Sequence, residues 1–173
     1  MDKTKILETK RLRIRFAKTS DIDYILGLEH HPDHRDFVWQ GTTEQHTNEI
    51  IDPDYALQVF EKQDDHERIG YSLSWYNQQS HWVELRRIVI TDKGRGYGTE
   101  AMEALFDFFF QDLTANKVWL DVYPHNTTGI RLYEKLGMKL DGVLRDNYYS
   151  ERLGYLDQVV YSMLRSEYEL KKR

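Results

Sequence analysis

The chain has 173 residues, 40% of them hydrophobic and 13% aromatic, which is enough apolar material for one domain with its own core. It has no cysteine, which excludes disulfides, thiolate metal sites and a cysteine nucleophile, and its net charge of −5 argues against a nucleic-acid partner. No apolar run is long enough to span a bilayer, and Met1-Asp2-Lys3-Thr4-Lys5 lacks the apolar region of a signal peptide. The expectation is therefore a single domain over 1–173 in the cytoplasm, with no membrane partner.

Arg11 to Phe16 alternates polar and apolar, the pattern of a half-buried strand. Thr19 or Ser20 can cap a helix from Asp21 to about Glu29, and a shorter helix is expected from about Thr43 to Ile51. Three strand-like runs follow at Tyr55 to Glu61, Arg68 to Tyr76 and Trp82 to Ile90, joined by polar turns of hairpin length. From Gly98 the period becomes helical, with Ala101, Met102, Leu105, Phe109 and Leu113 on one face. Lys117 to Tyr123 reads as a buried strand, and Asn126 to Leu136 as a helix capped by Asn126 or Thr127 and closed by Gly137. Met138 to Leu144 and Gln158 to Leu164 are two last strands around a polar, tyrosine-rich loop. The order β-α-α-β-β-β-α-β-α-β-β is an α/β layout.

Between the third of the hairpin strands and the next helix lies Lys93-Gly94-Arg95-Gly96-Tyr97-Gly98-Thr99. A strand, a glycine-rich turn and a helix start form an anion cradle, because backbone N–H groups and the helix dipole favour negative charge. A Walker-type loop is rejected, since Thr99-Glu100 follows Gly98 where Lys-Ser/Thr is needed. A dinucleotide fold remains a rival: Gly96-Tyr97-Gly98-Thr99-Glu100-Ala101 fits G-x-G-x-x-A, with Asp121 at a suitable distance for a ribose. Against it, Thr91 to Arg95 separates the strand from the motif, and about half of the chain precedes it.

The segment Lys93 to Gly98 also resembles motif A of the GCN5-related N-acetyltransferases, Gln/Arg-x-x-Gly-x-Gly/Ala, with Lys93 in the place of the usual Gln or Arg. Asn126 to Met138 is similar to that family's second signature, with Gly129 where Ala or Ser is commoner and Met138 where Phe is. Gly142 to Arg145, Tyr155 to Asp157 and Val160 to Met163 resemble the branch containing the ribosomal-protein and spermidine acetyltransferases. The resemblance implies a mixed, largely antiparallel central sheet flanked by about four helices. It implies acetyl-CoA as co-substrate, held by Ile88, Val89 and Ile90 along the pantetheine arm and by Lys93, Gly94, Arg95, Gly96, Tyr97, Gly98 and Thr99 at the pyrophosphate. Asn126 would reach the pantetheine, and Tyr133 would protonate the departing thiolate.

The acetyl acceptor would be a primary amine, either a protein N-terminus, a polyamine or another small amine, attacked directly in a ternary complex. Its base is expected to be Glu84, on the strand leading into the cradle, although a salt bridge to Arg86 or Arg87 explains the same residue. His81, His125, Asp121 and a water relay are the other candidates. By resemblance the acceptor lies near Phe37, Trp39, Asn147, Tyr148 and Tyr149; loop aromatics or a homodimer contact would account for these equally. A non-catalytic acyl-CoA sensor is the alternative function. The cluster His30, His31, Asp33 and His34 lacks metal-ligand spacing and reads as a solvated loop.

Overall fold

The computed structural model describes Met1–Arg173. Its strands are β1 (Ile6–Glu8), β2 (Leu12–Phe16), β3 (Tyr55–Lys62), β4 (Arg68–Asn77), β5 (Trp82–Ile90), β6 (Lys117–Val122), β7 (Lys139–Ser150) and β8 (Gly154–Leu164). Its helices are α1 (Ile22–His30), α2 (Thr43–Ile51), α3 (Tyr97–Asp107), α4 (Thr127–Lys135) and α5 (Arg165–Lys172). The strands form one sheet in the order β1-β2-β3-β4-β5-β6-β8-β7, antiparallel throughout except between β5 and β6. No helix is long and apolar enough to cross a membrane.

Alternation along the strands sends apolar residues to both faces of this sheet. Leu12, Ile14, Phe60, Val83 and Leu85 pack with α3 residues such as Met102 and Leu105. Leu57, Val59, Tyr71 and Leu73 pack on the opposite face with Ile25 and Leu28 of α1. The result is three layers, helix, sheet and helix.

Several sequence expectations are corrected. Thr19–Asp21 is a 3-10 turn rather than an N-cap; the Asp21 carboxylate accepts from the Lys18 amide at 2.8 Å and from Arg15 at 2.7 Å, which binds the turn to β2. After Asp107 the helix loosens into a π-turn over Phe108–Asp112, so that Phe108, Phe109 and Phe110 are all buried. A regular α-helix would turn one of the three outward. β6 is not uniformly buried: Val118, Leu120 and Val122 face the core while Lys117, Trp119 and Asp121 are only partly covered. The tyrosine-rich segment is not a loop, because Tyr148, Tyr149 and Ser150 pair with Leu156, Tyr155 and Gly154 in a long hairpin. β1 and α5 add a strand before, and a helix after, the expected order; one has three residues, and the other keeps only Tyr168 buried, so neither has a clear period.

A buried ionic network joins the two layers on the α1 side. Glu29 accepts from the Tyr71 hydroxyl at 2.5 Å, Arg87 at 3.2 Å, the Gly41 amide at 2.7 Å and His46 Nε2 at 3.2 Å. His46 Nδ1 donates to Glu49 at 2.7 Å. Burial opposes the charge on His46, but hydrogen bonds to the two carboxylates prevail and raise its pKa to about 9. The imidazolium therefore stabilises the fold below its unfolded pKa of about 6.5. That stabilisation is lost as pH rises through about 9. Denaturant unfolding between pH 6 and 10 should show a decline on the order of 3 kcal/mol in the wild type. A His46→Gln variant, less stable at pH 6, should lack that slope.

Candidate active site

β5 and β6 pair only from Trp82↔Lys117 to Glu84↔Trp119, and then separate. The register of β4 with β5 shifts between Leu73↔Arg87 and Ser74↔Leu85, so Arg86 is an extra residue on β5, a bulge that bends the strand where it leaves its neighbour. The bulge also reverses the alternation. Val83 and Leu85 face the α3 side before it; Ile88 and Ile90 face that side after it, while Arg87 and Val89 turn toward α1. Ile88 to Ile90 keep their β4 partners, Ser72, Tyr71 and Gly70, and carry no strand on the other edge.

Two connected cavities occupy the opening. The larger, about 480 Å³, runs along Ile88 to Ile90 to the turn at 92–99 and the start of α4. In this turn Gly94 and Gly96 have φ of +77° and +82°, and Gly96 is the N-cap of α3 with no side chain capping it. The amides of Gly94, Arg95, Gly96, Tyr97, Gly98 and Thr99 reach no protein acceptor, and the first helical bond is Glu100 N–H to the Gly96 carbonyl at 3.2 Å. The Glu100 carboxylate, which would otherwise compete for this dipole, is pulled to the far side by Arg11 at 2.6 Å and Thr9 at 2.6 Å. Arg11 also donates to the Arg95 carbonyl at 2.9 Å and lies over the Tyr97 ring, fixing the turn from behind. Lys93 lines the cavity, whereas Arg95 points away and pairs with Asp92 at 3.2 Å.

A second helix start meets the first across the cleft. The Asn126 carboxamide accepts from the Gly129 amide at 3.0 Å, capping α4. A Cβ on residue 129 would lie 2.9 Å from Asn126 Nδ2, so glycine leaves room for the cap. Thr127 and Thr128 line the cavity beside it, together with Asp33 and His34; burial lowers the pKa of His34.

The smaller cavity, about 200 Å³, shares Phe37, Val38, Ile88, Asn126 and Tyr133 with the larger and adds Trp39, Arg86, Arg87, Asp121, Tyr123, Tyr148 and Gln158. Tyr133 is 6% exposed at this junction; burial, and then the charge of Asp121, push its phenol well above the ordinary value. Burial, and then the charge of Glu84, raise the Asp121 carboxyl from its ordinary value, and it accepts a hydrogen bond from the Gln158 amide. Glu84 lines neither cavity: Arg86 Nε donates to it at 3.0 Å. Tyr149 lies outside as well, with its ring 5.2 Å from that of Tyr155, while Asn147 donates to Gln158 at 2.5 Å. Gln158 and Arg87 gave no signal in the sequence, since a bulge and a register set their place. Thr127 and Thr128 were accessible from the helix-start pattern alone.

A splayed strand pair with unpartnered amides at its mouth defines an α/β protein whose cleft suits an elongated ligand with an anionic end. The profile described as the acetyltransferase (GNAT) domain matches residues 11–139, and the chain belongs to that family. It is 29% identical over 122 residues to the uncharacterized N-acetyltransferase p20 of Bacillus licheniformis, covering 70% of this chain and 59% of that protein. It is 37% identical over 78 residues to the SPbeta prophage-derived uncharacterized N-acetyltransferase YokL of Bacillus subtilis, covering 45% and 44%. The chain thus spans about half the length of the curated relatives it matches. Among solved structures, spermidine N-acetyltransferase of Vibrio cholerae, in complex with CoA and spermine, superposes with a TM-score of 0.83 at 21% identity over 93% of this chain and 99% of that one, a likeness of fold.

Asn126→Ala should lower stability by about 1 kcal/mol through loss of the cap, read as a lower urea midpoint with unchanged slope.

Proposed function

We propose that residues 1–173 act as one acetyltransferase domain, transferring acetyl from acetyl-CoA directly to a primary amine. The observation that carries this is the row of unpartnered amides at 94–99 continuous with the free edge of Ile88–Ile90. Donors at one end suit a diphosphate, and a strand edge suits the amide-bearing pantetheine. Lys93 adds charge at the diphosphate end, and Asn126 caps α4 beside the arm. Acetyl-CoA supplies an acetyl thioester, whose carbonyl carbon forms the new C–N bond as its C–S bond breaks, and the proton that the nitrogen sheds after attack balances the departing thiolate.

Asp121 takes the proton from the acceptor's ammonium. Glu84 would have to leave Arg86 to serve, whereas Asp121 already lines the smaller cavity with a carboxyl made more basic by burial. Gln158 orients it, and Asn147 orients Gln158. Tyr133 stays protonated, because its pKa is raised, and donates to the departing sulfur. Full transfer to a thiolate with pKa about 8.5 is steeper from this phenol than from an ordinary one at about 10. Its main contribution is therefore a hydrogen bond that strengthens as charge develops on sulfur.

Tyr133→Phe should lower kcat by about a hundredfold with CoA affinity unchanged, and Asp121→Asn by about a hundredfold or more, while Glu84→Gln should change it little. In a thiol-release assay, kcat/KM should fall as pH drops through the raised Asp121 carboxyl, and Asp121→Asn should lose that limb. Gly96→Val forces a β-branched residue to a positive φ and should abolish CoA binding by calorimetry. Wild-type affinity in that variant would place the diphosphate elsewhere.

A further inference from the structure

The charges around the smaller cavity cancel down to one group. Arg86 is offset by Glu84 at 3.0 Å. Arg87, 5% exposed, is offset by Glu29 at 3.2 Å and Glu49 at 3.9 Å. His46 sits between the same two carboxylates, so two cations face two anions in that network. Asp121 is left as the one carboxylate on the cavity wall, and its partner is the neutral amide of Gln158. The other acids of the cleft, Asp33 and Asp92, line the larger cavity, and Asp92 is held by Lys62 and Arg95, each at 3.2 Å.

Aromatic rings make up much of the remaining wall, beside Arg86, Arg87, Asn126 and Gln158. The rings of Tyr123 and Tyr148 lie 5.4 Å apart, and the Arg87 guanidinium lies 4.5 Å above the Trp39 ring, which fixes that ring against the buried network. The segment carrying Phe37 and Trp39 is tied down at Asp36, whose carboxylate meets Arg152 at 3.0 Å and whose carbonyl accepts from His125 at 3.0 Å. These ties hold the Phe37 and Trp39 side of a cavity of about 200 Å³. That is below the roughly 300–1,000 Å³ of sites for drug-sized ligands.

We infer that the acceptor is a small primary amine with one positive charge and a flat apolar body, an arylalkylamine in chemical class, and not a polyamine. This rests on the acetyl-transfer reading above and narrows its substrate. The ammonium sits against Asp121 and the body lies among Phe37, Trp39, Tyr123 and Tyr148. A second ammonium in the cavity finds no unpaired carboxylate and meets Arg86 or Arg87, so it costs affinity at least about tenfold. A peptide N-terminus carries one charge too, but the chain that follows its first residue exceeds a cavity of about 200 Å³.

The test uses two acceptors of matched shape, 4-methylbenzylamine and 1,4-bis(aminomethyl)benzene, with spermidine and a short peptide beside them, assayed by thiol release from acetyl-CoA. The monoamine should show kcat/KM at least about tenfold above the diamine and spermidine. Trp39→Ala should raise KM for the monoamine without changing KM for acetyl-CoA. Equal or faster turnover of the diamine, spermidine or the peptide would overturn the assignment. If no amine releases thiol, acetyl transfer itself is wrong, and calorimetry of each amine with the CoA-loaded protein then decides the pocket. Tighter monoamine binding supports the assignment, and equal or weaker binding overturns it.

Discussion

The hydrogen-bond ladder between β5 and β6 stops at Glu84 and Trp119, and every feature of the cleft depends on that stop. Parallel neighbours in the middle of a sheet normally stay paired along their length, because each unpaired backbone group buried without a partner costs free energy. Here the bulge at Arg86 bends β5 away and leaves the edge of Ile88 to Ile90 facing a cavity. The same bulge turns Arg87 toward α1 and Ile88 toward α4, so one inserted residue both opens the site and assigns its walls. The starts of α3 and α4 then add unsatisfied amides and a capping asparagine at the mouth.

The opened sheet needs bracing, and the braces are ionic. Glu29, His46, Glu49 and Arg87 tie α1 and α2 to β5 on one side of the cleft, and Arg11 with Glu100 fixes the glycine turn on the other. Burying such charges is expensive, and removing one partner leaves the other uncompensated. The network also reaches the site directly, since Arg87 is both a member of it and the support of the Trp39 ring. Fold stability and the shape of the smaller cavity are therefore coupled through a single guanidinium.

Much of this was legible in the sequence where local chemistry sets the outcome. α2 begins after Thr42 and ends at Ile51, as its pattern predicts, and α4 is capped by Asn126. β3, β4 and β5 lie within a residue of the strand-like runs expected at Tyr55 to Glu61, Arg68 to Tyr76 and Trp82 to Ile90. The glycine turn and the second signature both lie on the larger cavity, at Lys93 to Thr99, apart from Arg95, and at Asn126 to Gly129, Leu132 and Tyr133. What escaped depends on register and packing. The bulge at Arg86 leaves no trace in composition, and without it Glu84 reads as the residue aimed at the cleft, while Asp121 reads as one of several candidates. The hairpin carrying Tyr148 and Tyr149 reads as a loop in the sequence because its outer strand is exposed along nearly its whole length, which removes the alternation that marks a half-buried strand. The π-turn at Phe108–Asp112 is likewise a packing solution for three adjacent phenylalanines rather than a local preference.

The central claim is that the free strand edge and the unpartnered amides after it grip an acyl carrier. Amide NMR of the protein titrated with CoA tests this most directly. Large shifts and slowed hydrogen exchange are expected at residues 88–90 and 94–99, with little change at β1 and the exposed side of α3. Saturation that leaves those amides unmoved, or moves the β1 side instead, would contradict it.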